Sequence, residues 1–319
     1  MNERIMFFGT PEFAEKILDA LVLSGENVVA VFTRQDKPKG RGYQLCKPPV
    51  KEYAEAHGIP VFQPTSLRND EVKETVLSFA PDMIITAAYG LILPKSILDI
   101  PRLGCINVHG SLLPEYRGAA PVQRCIIDGK TVTGVTIMRM DEGCDTGDMI
   151  AKAEIDIPVD MNCGQLFEEM GRVGAELLLK TLPKIKDGAA EYEKQDETKA
   201  TYAQKIDKRE LTLDFERSAK ALHDLIRGVY PYLCCSCVQN GQKGRRGLRI
   251  TETSYENGDA GAPAGTVVRA DAKKGVLAVA CGEGTLIIKG LVPEGKKAMS
   301  AADYVRGRQI ALNDILSGE

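Results

Sequence analysis

Apolar residues along the first 190 positions alternate between short continuous runs and stretches with a helical period. Ile5–Gly9, Val28–Thr33, Met83–Ala87 and Cys105–His109 are continuous, as strands of a parallel sheet buried on both faces must be. Behind the first run, Phe13, Ile17, Leu18 and Leu21 recur at helical spacing. Thr10 is the expected cap of that helix and Pro11 its first position. Helices are also expected after Pro48-Pro49, from about Asn69 to Phe79 and from about Pro121 to Asp128, with a short strand at Val61-Phe62. Thr133–Met140 alternates as a strand, and Met149–Asp156 forms one more. Asn162 and Gln165 resemble a capping box. They open a helix with Leu166, Phe167, Met170, Val173, Leu177 and Leu178 on one face, ending before Pro183. The pattern predicts an α/β fold: a Rossmann-like, mostly parallel sheet flanked by helices.

Beyond residue 190 the pattern changes. Asp187 to Asp207 is polar and weakly periodic and reads as a linker, and a helix is expected over Ser218 to Arg227. Short runs punctuated by Gly and Pro then recur at Cys234–Val238, Leu248–Thr253, Gly265–Arg269, Gly275–Cys281 and Thr285–Leu291. That spacing predicts a small OB-like β-barrel as a C-terminal domain.

A length of 319 residues agrees with two domains, and no run of 18 apolar residues exists to span a membrane. The N-terminal residues pass straight into a strand with neither a signal nor a transit pattern. Nine cysteines, an odd number without a framework, fit a reducing compartment, so a cytoplasmic location is expected. The net charge of −3 is uneven. Residues 207–319 hold 17 Lys+Arg against 14 Asp+Glu, leaving the first 206 residues acidic. A mildly basic second domain permits nucleic-acid contact without demonstrating it.

Two polar residues interrupt the run at Cys105–His109. Asn107 and His109 are two apart and so share one face of the strand. A buried unpaired polar group costs about 1–3 kcal/mol, so the pair is either satisfied structurally or used. His109 stands at the carboxyl end of a parallel strand, where open α/β sheets bind ligands. His57 and His223 read as structural. After the Thr133–Met140 strand comes Asp141-Glu142-Gly143-Cys144-Asp145-Thr146-Gly147-Asp148. It lacks the spacing of a Ca²⁺ loop and reads better as a tight turn presenting one carboxylate. No dinucleotide fingerprint follows the first strand and no nucleophile elbow is present. A neutral donor, an imidazole and a carboxylate without a nucleophile suit direct group transfer between two bound substrates. The loop from Arg34 to Lys47 holds five Lys/Arg against one Asp, with glycines flanking Arg41. It is either a solvated tip or a flexible arm for phosphate.

Asn107-x-His109-x-Ser111-Leu112-Leu113-Pro114, then Tyr116-Arg117-Gly118 and Asp141-x-Gly-x-Asp145-Thr146-Gly147, resembles the signature of folate-dependent formyltransferases. The Gly9-Thr10-Pro11-x-Phe13 opening, Ala87-Ala88-Tyr89-Gly90, the loop with Arg41 and Gly295-Lys296-Lys297-Ala298-Met299 are similar to the members of that family that act on charged tRNA.

The resemblance spans the chain and implies formyl transfer from 10-formyltetrahydrofolate, as co-substrate and without metal, to the α-amino group of initiator methionyl-tRNA. It implies that Asn107 and His109 hold the oxyanion and that Asp145 assists proton transfer. Folate contacts would fall on Ser111, Leu112, Leu113 and Pro114, with the pterin near Leu91, Ile92, Leu93 and Asp141. Arg41, Lys37 and Lys39 would meet the acceptor end of the tRNA, and Lys243, Arg245 and Arg246 its backbone. The implied domains are a catalytic domain at 1–189, a linker at 190–207 and a tRNA-binding domain at 208–319, in a monomer. A glycinamide-ribonucleotide-type enzyme would end near Leu182. A sugar-amine formyltransferase has no need of the basic loop, and a non-enzymatic binding module leaves Asn107, His109 and Asp145 unexplained.

Overall fold

The apolar runs assemble into one sheet whose strand order explains where a ligand can enter. A computed structural model describes residues 3–39, 44–241 and 244–318. The chain forms two compact units, residues 1–121, 132–156 and 167–204 in the first and 122–131, 157–166 and 205–319 in the second.

The first unit begins with β1 (Arg4–Gly9), α1 (Glu12–Leu23) and β2 (Asn27–Phe32), then the hairpin β3 (Lys37–Lys39) and β4 (Gln44–Cys46). Next come α2 (Pro49–Ala56), β5 (Val61–Phe62), α3 (Asp70–Ser78), β6 (Met83–Ala87), α4 (Lys95–Leu98), β7 (Cys105–His109) and β8 (Arg117–Gly118). After α5 (Pro121–Ile127), whose residues from Val122 on belong to the second unit, follow β9 (Val132–Arg139), β10 (Met149–Asp156), α6 (Cys163–Lys186, in the first unit from Phe167 on) and β11 (Tyr202–Ala203). The main sheet runs β10-β9-β7-β6-β1-β2-β5. It is parallel from β7 to β5, and β9 and β10 are antiparallel. The chain winds outward from β1 through β2 to β5, then returns to β6 on the other side of β1. Such a reversal opens a crevice at the carboxyl ends of the strands.

Every residue of β6 is buried, and Phe8 stacks on Phe32 at 4.5 Å with Tyr89 edge-on to Phe8 at 5.1 Å. Two boundaries differ from the sequence pattern. Helix α1 starts at Glu12 with Pro11 as its cap residue, and the Thr10 hydroxyl instead donates to the Tyr89 carbonyl, tying β1 to the segment after β6. Helix α6 continues through the exposed Pro183 to Lys186, because burial of Leu182 and Ile185 in its last turn offsets the one bond proline cannot make. Residues 190–204 belong to the first unit, where β11 pairs in parallel with β8.

The second unit contains α7 (Ala219–Val229), β12 (Cys235–Gly241), β13 (Gly244–Glu256), β14 (Val267–Asp271), β15 (Val276–Ala280), β16 (Thr285–Pro293), β17 (Met299–Ser300), α8 (Ala301–Arg306) and β18 (Ile315–Ser317). Its antiparallel sheet runs β14-β15-β16-β13-β12-β18. Thr266 pairs with Ile315, and the Leu316 amide donates to the Gly265 carbonyl at 2.8 Å, so the sheet curls back on itself. Gly265 has φ +83°, and a Cβ there would lie 2.2 Å from the Leu316 carbonyl oxygen. Only glycine permits that approach. The curled, OB-like barrel encloses Leu222, Ile226, Leu248, Ile250, Leu277 and Leu291. His223 is buried and satisfied, its Nε2 donating to the Val159 carbonyl at 2.9 Å and its Nδ1 3.0 Å from the Thr253 hydroxyl.

Candidate active site

Strand β7 lies between β6 and β9, so its carboxyl end is backed on both sides. Asn107 is paired across the sheet with Thr86 and Met138, and His109 with Thr136. The Thr86 hydroxyl contacts Asn107 Oδ1 at 2.8 Å, while Asn107 Nδ2 points to Asp145 Oδ1 at 3.5 Å. An ionised carboxylate can only accept, so the amide's donor end faces Asp145 and Thr86 holds its other end.

His109 is 6% exposed. Its Nε2 lies 3.0 Å from the Tyr116 carbonyl, an acceptor, so Nε2 carries the hydrogen. Nδ1 therefore faces the site, 3.6 Å from Asp145 Oδ1. In the neutral ring it is a lone pair ready for a proton. Once protonated it forms an ion pair with the carboxylate.

Asp145 lies beyond β9 in the left-handed region at φ +56°. Aspartate tolerates that conformation better than most residues, at a cost of about 1–2 kcal/mol. The Gly118 amide donates to its Oδ2 at 2.8 Å, leaving Oδ1 for Asn107 and His109. Two residues on, a Cβ on Gly147 would stand 1.9 Å from the Arg139 carbonyl oxygen, so glycine is required there for the loop to close against β9. Asp141 Oδ1 accepts from the Gly143 amide at 2.9 Å and the Thr146 hydroxyl at 2.7 Å, making the first half of the loop a turn. Among the described residues, no group of three or more His, Cys, Asp or Glu is placed to hold a metal ion.

The segment after β7 is anchored to β9. The Thr136 hydroxyl donates to the Ser111 carbonyl at 2.7 Å and accepts from the Leu113 amide at 3.1 Å. Ser111 is fully buried, and its hydroxyl donates to the Glu115 carbonyl at 2.6 Å. Leu113 packs with Met138 and Met149, while Leu112 is half-buried beside Pro114. Leu93 is buried, Leu91 half-buried and Ile92 75% exposed, which makes Ile92 the member of this loop free to meet a ligand. Met140 packs on the same cluster as Leu91 and Leu93, and Lys95 approaches Glu142 at 3.6 Å, so the loops after β6 and β9 adjoin.

Lys37 is exposed on β3, and Arg41 lies outside the described residues, as does Lys243. The backbone of Lys39 belongs to β3. Arg245 is exposed on β13, whereas Arg246 is half-buried and donates to Gln309 Oε1 at 2.9 Å. Thr86, the Tyr116 carbonyl and the Gly118 amide carry no chemical signature in the sequence. Cross-strand pairing of Thr86 with Asn107 was the one signal available, and it requires knowing that β6 and β7 are neighbours.

One carboxylate oxygen thus meets a fixed amide donor and an imidazole nitrogen at the carboxyl end of a central strand. Such a set can stabilise an oxyanion and move a proton.

The formyl transferase family model matches residues 3–182, and its companion, the formyl transferase C-terminal domain, matches residues 205–309. A methionyl-tRNA formyltransferase from Desulfotalea psychrophila is 45% identical over 313 residues, covering 98% of this chain and 95% of that protein. Among solved structures, an N-formyltransferase from Helicobacter canadensis in complex with folinic acid and dTDP-3-aminofucose superposes with a TM-score of 0.63 at 16% identity. The match covers 90% of this chain and 99% of that one. HypX from Aquifex aeolicus in complex with tetrahydrofolic acid gives 0.64 at 15% identity, over 96% of this chain and 47% of that one. These structural likenesses establish a shared fold. With both segments matched and a full-length relative at 45% identity, the chain belongs to the formyl transferase family.

Proposed function

We propose that this protein transfers the formyl group of 10-formyltetrahydrofolate to the α-amino group of methionyl-tRNA, selecting the initiator species. The observation that carries the transfer chemistry is the convergence of Asn107 Nδ2 and His109 Nδ1 on one oxygen of Asp145. The acceptor rests on the 45% identical relative, whose likeness runs through both units.

In this reading the amine attacks the formyl carbon and the carbonyl oxygen becomes an oxyanion, held by the Asn107 amide and protonated His109. Preorganised donors of this kind contribute about 10²–10³ in rate each. Asp145, fixed by the Gly118 amide, takes the proton released from the attacking nitrogen. The intermediate collapses as the C–N10 bond breaks and the proton held by Asp145 passes to N10, leaving formylated amine and tetrahydrofolate. The formyl donor would be held by the 111–114 turn and by the adjoining loops around Leu91–Leu93 and Asp141. Lys37, Lys39 and Arg41 would contact the tRNA acceptor end, and Lys243, Arg245 and Arg246 its backbone. An enzyme acting at this step would work in the cytoplasm, as a monomer.

The test is formylation of charged tRNA with 10-formyltetrahydrofolate, comparing methionyl initiator and elongator species. Initiator product is expected. Its absence, even with small amines formylated, removes the tRNA assignment. Arg41→Ala should lower kcat/KM for charged tRNA, and an unchanged value would return the loop to a solvated tip.

A further inference from the structure

Behind Asp145 lies a buried polar group with which no step above is concerned. Arg117, on β8, is fully buried. Its Nε and Nη2 donate to Gln195 Oε1 at 3.0 and 2.8 Å, and its Nη1 and Nη2 donate to the Glu197 carboxylate at 2.9 and 2.7 Å. Gln195 uses its other end on the catalytic loop, where Nε2 donates to the carbonyls of Asp145 and Gly147, both at 2.8 Å. The orientation of this amide is unambiguous. A guanidinium only donates and a carbonyl only accepts, so Oε1 must face Arg117 and Nε2 the loop. Both amide hydrogens are used, and they grip the loop on either side of Thr146.

The same clamp holds the other face of the site. Arg117 lies between Tyr116, whose carbonyl fixes His109, and Gly118, whose amide fixes Asp145. This three-residue segment is itself pinned from the 195–203 stretch. The Tyr116 amide donates to the Thr201 hydroxyl at 2.8 Å, the Arg117 amide to the Thr201 carbonyl at 2.9 Å and the Ala119 amide to the Ala203 carbonyl at 3.0 Å. His109 and Asp145 come from distant parts of the chain, and one clamp sets both.

We infer that Gln195, held by Arg117 and Glu197, is a positioning residue that keeps Asp145 in its left-handed conformation with Oδ1 aimed at Asn107 and His109. This deepens the proposed function and rests on Asp145 being the proton-handling group. A group held within a fraction of an ångström by a backing layer loses rate steeply when that layer is removed, and a 1 Å misplacement can cost about 10²-fold.

Gln195→Leu removes the grip at similar size. The expected result is a fall in kcat of at least about tenfold, with KM for the formyl donor and for methionyl-tRNA within about twofold. The Nδ1 ¹⁵N resonance of His109 should also move in the folded variant. A purely structural role predicts instead that the folded fraction keeps its kcat and an unmoved resonance, and either result overturns the inference. Should Gln195→Leu not fold, Gln195→Glu decides. It keeps the volume and the Arg117 contact but sets a carboxylate oxygen against two carbonyls, so it must show the same kcat loss. Arg117→Lys should not preserve activity, because one ammonium cannot span both Gln195 and Glu197. If the wild type formylates no methionyl-tRNA, the functional reading fails, while the His109 resonance of wild type against Gln195→Leu still decides the clamp.

Discussion

Replacing Thr86 by valine tests the orientation of Asn107 with the least disturbance. Valine has nearly the shape of threonine, and Thr86 is 3% exposed, so the substitution removes one hydroxyl from a packed strand and leaves the backbone pairing of β6 with β7 intact. What is lost is the 2.8 Å contact to Asn107 Oδ1 that keeps the amide's donor end toward Asp145. A neutral hydrogen bond contributes about 0.5–1.5 kcal/mol net. At about 1.36 kcal/mol per factor of ten, the expected fall in kcat is roughly 2- to 10-fold. Deleting the donor itself with Asn107→Ala should cost at least about 100-fold. Single-turnover formylation of methionyl initiator tRNA at saturating formyl donor measures both. The two changes act through one group, so the double variant should be no slower than Asn107→Ala alone. An unchanged rate for Thr86→Val refutes the orienting role. So does a loss near 100-fold, which one neutral bond cannot supply, or a double variant in which the two losses multiply.

His109→Ala and Asp145→Ala should each lose at least about 100-fold in kcat while still binding the formyl donor by fluorescence or calorimetry, and near-wild-type turnover in either removes that residue from the mechanism. Gly147→Ala places a methyl 1.9 Å from the Arg139 carbonyl oxygen and should abolish most turnover by displacing the Asp145 loop. Its circular dichroism should stay native, and full activity would show that the loop does not depend on this approach. Burial holds the pKa of His223 below its usual 6.5, against the raising effect of the Val159 carbonyl. The unfolded chain then binds a proton that the folded chain refuses. The contribution of His223 is therefore full above about pH 6.5 and declines as pH falls toward the depressed value. Urea midpoints of the second unit should drop between pH 7 and 5, and His223→Gln should flatten that slope. Equal slopes would reassign the effect.

The polar pair on β7 was legible because its signal is local: an apolar run, two polar positions of the same parity, and a glycine after them. The barrel strands were legible for a similar reason, since Leu248 and Ile250 point inward while Arg245 and Arg249 point outward along β13. Its closing strand, β18, leaves no such trace in the sequence. Three residues, Ile315 to Ser317, are too few to show a period, and they become a strand only because Val238, Gln239 and Asn240 offer them an edge. His223 gave no hint of a partner because both of its contacts, at Thr253 and Val159, lie 30 and 64 residues away.

The sequence by itself determined the alternation of strands and helices, the barrel of the second unit, and the residue types of the candidate catalytic set. Each depends on side-chain chemistry and on periods shorter than a single element. Tertiary structure alone decided how those residues face one another. Asp145 meets Asn107, Gly118 and Gln195 across 38, 27 and 50 residues, and the groups that fix Asp145 Oδ2 and His109 Nε2, the Gly118 amide and the Tyr116 carbonyl, are backbone groups that leave no residue signature. The polar, aperiodic 195–203 stretch holds Arg117 and the loop behind the site through hydrogen bonds that leave no hydrophobic pattern. Directional bonds over long separations appear only once the sheet has brought their donors and acceptors within about 3 Å of each other.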